Sequence, residues 1–292
     1  MIERACAGPS SSAPQHAAQR PIAVLFLLGT CDMWCDFCIN ETSISPLDPG
    51  RVDQVLDELV RRRVTHLVLG GGEPFAWPGD VLSVARAARQ RGLHVQLGTN
   101  GIRMPLAPLP GQPVDRYVLP LDSAQADIHN ALRRGVDDHH GLILRRLAEL
   151  RSTAHPVTVS TVVSRPTAAG LPHLARLLAD YATSGGRLHA WHLYRFLPEG
   201  VGGAVNGGSL AIDASAYQSA CERATRLASA AAPGLTVFRR PDMRQSKTVE
   251  FLWFEGSELR IGSQVWSAAR NSVAKAGLPS PAHTESQIGI AP

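Results

Sequence analysis

Cys31, Cys35 and Cys38 fall within eight residues, in the run Cys-Asp-Met-Trp-Cys-Asp-Phe-Cys that follows Thr30. Thiolates are soft ligands that select iron–sulfur clusters or zinc. Three of them this close are too crowded, and too odd in number, for a disulfide framework. A closed structural zinc site or iron–sulfur cluster takes four ligands, and no fourth cysteine lies nearby. One metal position is therefore left open, as a reactive centre requires. The other two cysteines are Cys6, near the N-terminus, and Cys221, which follows Tyr217 by one helical turn and reads as core.

Further groups able to do chemistry stand at the ends of apolar runs. Gly71, Gly72, Glu73 and Pro74 close one run. Glycines there let a ligand approach the backbone, and a carboxylate on a rim can hold an ammonium group. Gly98, Thr99, Asn100 and Gly101 close the next, where Asn-Gly also reads as a tight turn. Leu121, Asp122 and Ser123 close a third, with His129, Arg133, Arg134 and Gly135 just beyond. Ser160 lies inside a later run. Trp191, His192, Tyr194 and Arg195 share another, where strand alternation turns about half of them inward. His192 reads either as a proton donor or acceptor or as a structural histidine. Arg239, Arg240, Arg244 and Lys247 form a basic group that reads either as a clamp for phosphate or carboxylate or as a solvated loop.

The elements that must position these groups follow from hydrophobic patterning. Strands are predicted at 22–28, 66–69, 94–97, 116–121, 157–163 and 188–196. Helices are predicted between them. One has Asp48 as N-cap and Pro49 at its first position; a second opens at Asp80 and stops at Gly92; others cover 139–150 and the face formed by Leu171, Leu174, Leu178 and Tyr181. Strands alternating with helices imply an α/β fold with a parallel sheet and right-handed crossovers. About six units suggest a partial (βα)6 barrel of TIM type with a short C-terminal extension, its active site at the C-terminal ends of the strands. The cysteine loop follows the first strand directly and so sits on that rim.

The expected organisation is a disordered tail at 1–20, a barrel core at 21–200, a substrate-side extension at 201–277 and a flexible tail at 278–292. The segment 198–209 carries five glycines and reads as a flexible loop able to act as a lid. A helix is expected near 213–230, then strands at 236–238, 249–254 and 258–261, the last two forming a hairpin around Glu255 and Gly256.

The chain has 292 residues, 44% of them hydrophobic, enough for one large domain or a domain and a half. Five cysteines, three of them clustered, read as a reduced cytoplasmic protein. A net charge of +4 suits an anionic cofactor or substrate but is too weak and dispersed to argue for nucleic acid. No apolar run reaches the roughly 18 residues that span a membrane. The apolar run at 22–28, between Arg20 and Cys31, imitates a signal peptide before a lipidated cysteine. It is of minimal length and lacks a small residue just before Cys31, so it reads as a buried strand.

The cysteine triad, with Phe37 directly before the third cysteine, resembles the signature of the radical S-adenosylmethionine (radical SAM) superfamily. The glycine-rich motif ending in Glu73 and Pro74 and the run around Thr99 and Asn100 strengthen the resemblance, which extends over roughly residues 22–200. It implies a [4Fe–4S] cluster on Cys31, Cys35 and Cys38, with S-adenosylmethionine on the fourth iron. Reductive cleavage of that cofactor would give a 5′-deoxyadenosyl radical that takes hydrogen from a substrate in the barrel. The resemblance further implies that Gly71, Gly72, Glu73 and Pro74 hold the cofactor's amino group and that Thr99 and Asn100 shape its pocket. Asp122 to Gly135 resemble a stretch of the molybdenum-cofactor and peptide-modifying branches, where an arginine pairs with the cofactor's carboxylate; Arg133 and Arg134 both remain open for this. Ser160 lies where family members often place a hydroxyl on the cofactor, and it also reads as an ordinary satisfied strand residue. An external one-electron donor such as flavodoxin or ferredoxin is implied.

With only Cys6 and Cys221 left over, no auxiliary-cluster domain is expected. Compact size and an arginine-rich C-terminal portion favour a tailoring enzyme for a small polar metabolite, a sugar or nucleoside in natural-product biosynthesis. Decarboxylation, dehydration or epimerisation would suit it. The alternative is an activase or peptide-maturation enzyme acting on a protein or peptide partner. A zinc-binding structural module is a third, non-enzymatic reading.

Overall fold

The computed structural model describes residues 21–41, 43–105, 111–262 and 274–275. The expected tails and Cys6 lie outside the described residues. Six parallel strands form in chain order: β1 (Ile22–Phe26), β2 (His66–Gly70), β3 (His94–Gly98), β4 (Arg116–Pro120), β5 (Val157–Val163) and β6 (Leu188–Arg195). Each pairs in parallel with the next. The crossover helices are α1 (Val52–Arg61), α2 (Val81–Gln90), α3 (Ala126–Leu132), α4 (His139–Ser152) and α5 (Leu171–Thr183). The chain passes from β3 to β4 without an α-helix among the described residues. This α/β arrangement is a partial TIM-type barrel.

The predicted caps form. The Asp48 carboxylate accepts from the Gly50 N–H at 2.9 Å, and the Asp80 carboxylate from the Leu82 N–H at 3.0 Å. Gly92, with φ of 82°, takes the left-handed conformation that ends α2.

Alternation divides the sheet into two faces. Leu25, Leu67, Leu69, Val95, Leu97, Leu119, Val159 and Leu193 are fully buried in the main hydrophobic core. Truncating one such leucine to alanine would cost about 2–5 kcal/mol. The opposite face is the barrel interior and is more polar. It carries Gln96, Arg116, Ser160, His192 and Tyr194, all only partly buried.

After β6, α6 (Ala214–Ala231) leads to β7 (Val237–Arg240), which lies parallel beside β6. The chain then returns across the molecule. β8 (Val249–Glu255) pairs in parallel with β1 and forms the expected hairpin with β9 (Glu258–Gly262), whose turn contains Gly256 at φ of 59°. A two-residue strand, β10 (Ala274–Lys275), completes a ten-stranded sheet among the described residues, in the order β10-β9-β8-β1-β2-β3-β4-β5-β6-β7. Residues after 200 thus supply strands at both ends of the sheet.

One expectation is corrected here. The glycine-rich segment 198–209 is not a free loop. It forms two helical turns, Gly200–Gly203 and Gly207–Leu210, and the first is packed onto the cysteine loop. Gly200, Gly202 and Gly203 in it serve close approach between backbones.

Candidate active site

The cysteine loop leaves β1 at the C-terminal rim of the sheet and is gripped from several sides. Trp34 and Cys35 form a short antiparallel ladder with Arg134 and Arg133. The Gly202 and Gly203 N–H groups donate to the Cys38 carbonyl at 3.0 and 3.1 Å, and the Val201 N–H to the Asn40 carbonyl at 2.9 Å. The Gly72 N–H donates to the Leu28 carbonyl and the Glu73 N–H to the Thr30 carbonyl. The Asn40 amide donates to the Gly71 carbonyl at 2.8 Å.

These approaches explain the glycines. A Cβ on Gly72 would lie 1.5 Å from the Thr30 carbonyl oxygen, and one on Gly71 2.3 Å from that of Leu28. A Cβ on Gly202 would lie 2.3 Å from the Cys35 carbonyl oxygen. The Gly71–Gly72 pair, expected to let a ligand approach, also admits the backbone that leads into the cysteine loop.

Glu73 is 0% exposed, with its carboxylate turned into the next strand's turn. It accepts from the Thr99 hydroxyl at 2.7 Å, the Asn100 N–H at 2.7 Å and the Phe75 N–H at 3.1 Å. Burial pushes it up to about 7 against these hydrogen bonds. Glu73 is therefore a strut between the β2 and β3 rims. Its neighbour Asn100 reaches the cysteine loop, donating to Asp32 at 2.6 Å and, weakly, to the Cys31 thiol at 3.7 Å.

The three thiols suit a cluster better than a single ion. Each raises the pKa of another, so the three lie within electrostatic reach, and together they line a cavity of about 540 Å³. Yet among the described residues no group of three His, Cys, Asp or Glu side chains is placed to hold one metal ion. Three thiols around one cavity fit a cluster that offers a separate iron to each. Burial pushes Cys31 up to about 11 and raises Cys35 and Cys38 as well. Metal binding would offset that cost, because the ligand is the thiolate.

Beside the thiols lies a buried ion pair. Asp122, at the end of β4, accepts from Arg133 Nε at 2.5 Å and from the Val162 N–H at 2.7 Å. Arg133 also donates weakly to the Cys35 thiol at 3.7 Å and stacks its guanidinium 4.8 Å above the Phe37 ring. Arg134 points the other way, exposed and paired with Asp36. The two arginines that sequence could not separate thus differ in environment.

A histidine pair completes this end of the barrel and was missed as a unit. The Asp122 N–H donates to His129 Nδ1 at 3.1 Å. That nitrogen must then be unprotonated, so His129 Nε2–H donates to His139 Nδ1 at 2.8 Å, and His139 Nε2–H donates to the Asn100 carbonyl at 2.8 Å. Burial holds both rings neutral, pulling His129 down to about 2 and His139 to about 4. The pair fixes the β3 rim against the β4 rim. Its spacing carries no periodic signal, and only the fold brings the rings together.

The other sequence candidates scatter. Ser160, His192 and Tyr194 face the barrel interior, where the Ser160 hydroxyl makes a long contact to the Leu119 carbonyl at 3.5 Å and His192 Nδ1 lies 3.1 Å from the Tyr194 hydroxyl. Trp191 is corrected: it is 0% exposed in the core on the other face, its indole N–H donating to Thr161. Strand parity separates it from His192. Arg239 is outward, paired with Glu222 at 3.5 Å, and Arg244 is tied to Asp242 and Glu199, both at 2.8 Å. Neither is free to clamp an anion. Arg195 is partly buried and Lys247 exposed. Cys221 is buried in α6, as core.

Residues 26–178 match the family model of the radical SAM superfamily. The chain belongs to the radical SAM superfamily. Radical SAM enzymes use a [4Fe–4S] cluster and S-adenosylmethionine. Among curated relatives, this chain is 29% identical over 164 residues to the PqqA peptide cyclase of Ruegeria pomeroyi, spanning 52% of this chain and 42% of that one. It is 29% identical over 181 residues to the mycofactocin maturase MftC of Mycobacterium tuberculosis, spanning 58% of this chain and 45% of that one. The chain therefore spans less than half the length of these relatives. Among solved structures, Streptococcus suis SuiB bound to S-adenosylmethionine superposes with a TM-score of 0.60 at 14% identity, covering 77% of this chain and 51% of that one, and shares its fold. These relatives overturn the expected small polar metabolite, both as substrate and as partner, since they are a peptide cyclase and a maturase. Arginine content misled: Arg239 and Arg244 are spent on carboxylates of the chain itself. Among the described residues no helix is long and apolar enough to cross a membrane.

Proposed function

We propose that this radical SAM enzyme modifies a peptide or protein partner. The observation that carries this reading is the 29% identity over 164 residues to a peptide cyclase. When bound, the cluster and S-adenosylmethionine would supply a 5′-deoxyadenosyl radical for hydrogen abstraction. Cys31, Cys35 and Cys38 hold the cluster. Arg133 receives the cofactor's carboxylate, an assignment supported by its burial beside Cys35, while Arg134 stays on the surface. The amino group meets backbone near Gly71 and Gly72, because the Glu73 carboxylate is already occupied. Thr99, Asn100 and Asp122 brace that pocket, and Pro74 starts the short turn after it. Ser160, His192 and Tyr194 line the route to the substrate.

The test is anaerobic. The protein is reconstituted with iron and sulfide, given S-adenosylmethionine and a strong reductant, and assayed for 5′-deoxyadenosine by mass spectrometry with and without peptides encoded beside its gene. Native protein should form the product, faster with the right peptide, and Cys35→Ala should form none. A fully loaded protein that stays inert with every peptide would refute the proposal.

A further inference from the structure

The barrel interior carries an arginine, Arg116, that makes no ion pair among the described residues, although the neighbouring Asp115 partly offsets its charge. It stands at the start of β4 and has a buried Nε without a hydrogen-bond partner. On the neighbouring strand Thr158 is 2% exposed, and its hydroxyl also lacks a partner. His94 Nδ1, on the other side, is a third unpartnered buried atom. The charge of Arg116 reaches His94, His189 and His192 and pulls all three further down. The nearest acid, Asp115, is committed elsewhere: it accepts from the Val95 N–H at 2.7 Å and pairs with Arg89 at 3.4 Å.

Burying a guanidinium Nε and a hydroxyl without partners is unfavourable, while the rest of the half-buried Arg116 fork stays open to an incoming group. A carboxylate arriving there removes the cost, accepting the guanidinium fork and the hydroxyl together. Position limits what carries the carboxylate. Arg116 opens β4 and Asp122 lies six residues later, two beyond the strand's end, about 20 Å away at the usual rise. A sugar-sized molecule held at Arg116 would not reach the cysteine rim, whereas an extended peptide of about six residues would.

We propose that Arg116 and Thr158 form a carboxylate subsite at the N-terminal end of the barrel, anchoring a peptide whose reacting residue lies about six positions away. This rests on the peptide reading above. The carboxylate is supplied by an acidic side chain or by the peptide's C-terminus.

The experiment uses three fluorescein-labelled alanine–glycine–serine peptides of about ten residues. One has a single glutamate and an amidated C-terminus, one has glutamine and a free C-terminus, and one has glutamine and an amidated C-terminus. Anisotropy titrations use the reconstituted full-length protein. Either of the first two should bind about tenfold tighter than the third, and which one does identifies the source of the carboxylate. Arg116→Gln should abolish the difference, Arg116→Lys should restore part of it, and Arg239→Gln, on the other face, should leave it unchanged. Thr158→Val should reduce the preference without removing the charge, and it decides the matter if Arg116→Gln does not fold. Equal binding of all three peptides, or a preference that survives both Arg116→Gln and Thr158→Val, overturns the subsite. Radical formation stimulated by a neutral peptide under those conditions would leave the peptide reading intact, whereas failure of all three to bind, together with no peptide stimulation, would remove both.

Discussion

At the scale of single residues, the adjacent pair Arg133 and Arg134 shows how little neighbours in sequence need share. Arg133 is the partner of Asp122, a fully buried carboxylate, so Arg133→Ala strands a charge away from water and should cost about 3–5 kcal/mol. Arg134 holds Asp36 with 61% of its side chain exposed, so Arg134→Ala should cost under about 1 kcal/mol. Urea denaturation of the two variants checks the contrast. The histidine pair has a pH signature. The unfolded chain takes up protons below the ordinary histidine value of 6.5, but folded His139 does so only near 4 and His129 only near 2. Stability should therefore fall as pH drops from about 6.5 toward 4. Glu73 acts in the opposite sense. Raised from 4.5 to about 7, it favours the folded state below 4.5, and that contribution fades as pH rises to about 7. Unfolding free energies from urea titrations between pH 5 and 7 should show a shallower pH slope in His139→Phe, the loss nearing one proton, about 1.4 kcal/mol per pH unit, at pH 5 and shrinking toward pH 7. The cysteines were legible as residues because their chemistry is in their spacing. The environments of Arg133 and Trp191 were not, since strand parity and helix placement decide them.

At the scale of elements, the six strands and their helices were legible because apolar runs, Asp caps and terminal glycines encode them locally. The mutual grip of the loops was not, because it depends on backbones meeting from distant parts of the chain. Two glycines of one segment separate the effects. Gly202 meets the Cys35 carbonyl, whereas Gly208 has nothing within 4 Å of a Cβ. Gly202→Ala should displace the cysteine loop and lower iron content after reconstitution, with the far-ultraviolet circular dichroism of the sheet retained. Gly208→Ala should be silent or stabilise slightly, by up to about 1 kcal/mol, through reduced unfolded-state entropy. Equal iron in both variants would refute the account of the 198–209 segment.

At the scale of the whole molecule, the pairing of β1 with β8 closes a loop of more than 200 residues, with Ile22 beside Val249. No local pattern announces such a partner, which is why the sequence pointed to a core ending near 200 with an extension after it. Removing the chain from 247 onward should bare the β1 edge and part of the core around Leu252 and Phe254. Size-exclusion chromatography should then show aggregation, and a monomeric, native-like truncation would contradict this. The packing of Gly200–Gly203 over the cysteine loop also has a consequence in time. During synthesis the thiols leave the ribosome roughly 170 residues ahead of the segment that covers them, on the order of 10–30 s at ordinary elongation rates. Throughout that interval they have neither cover nor a finished cavity, so oxidants have access to them before the protein can shield them. The yield of loadable enzyme should then depend on how reducing the cell is while the chain is being made, and on translation speed, more than on conditions after folding.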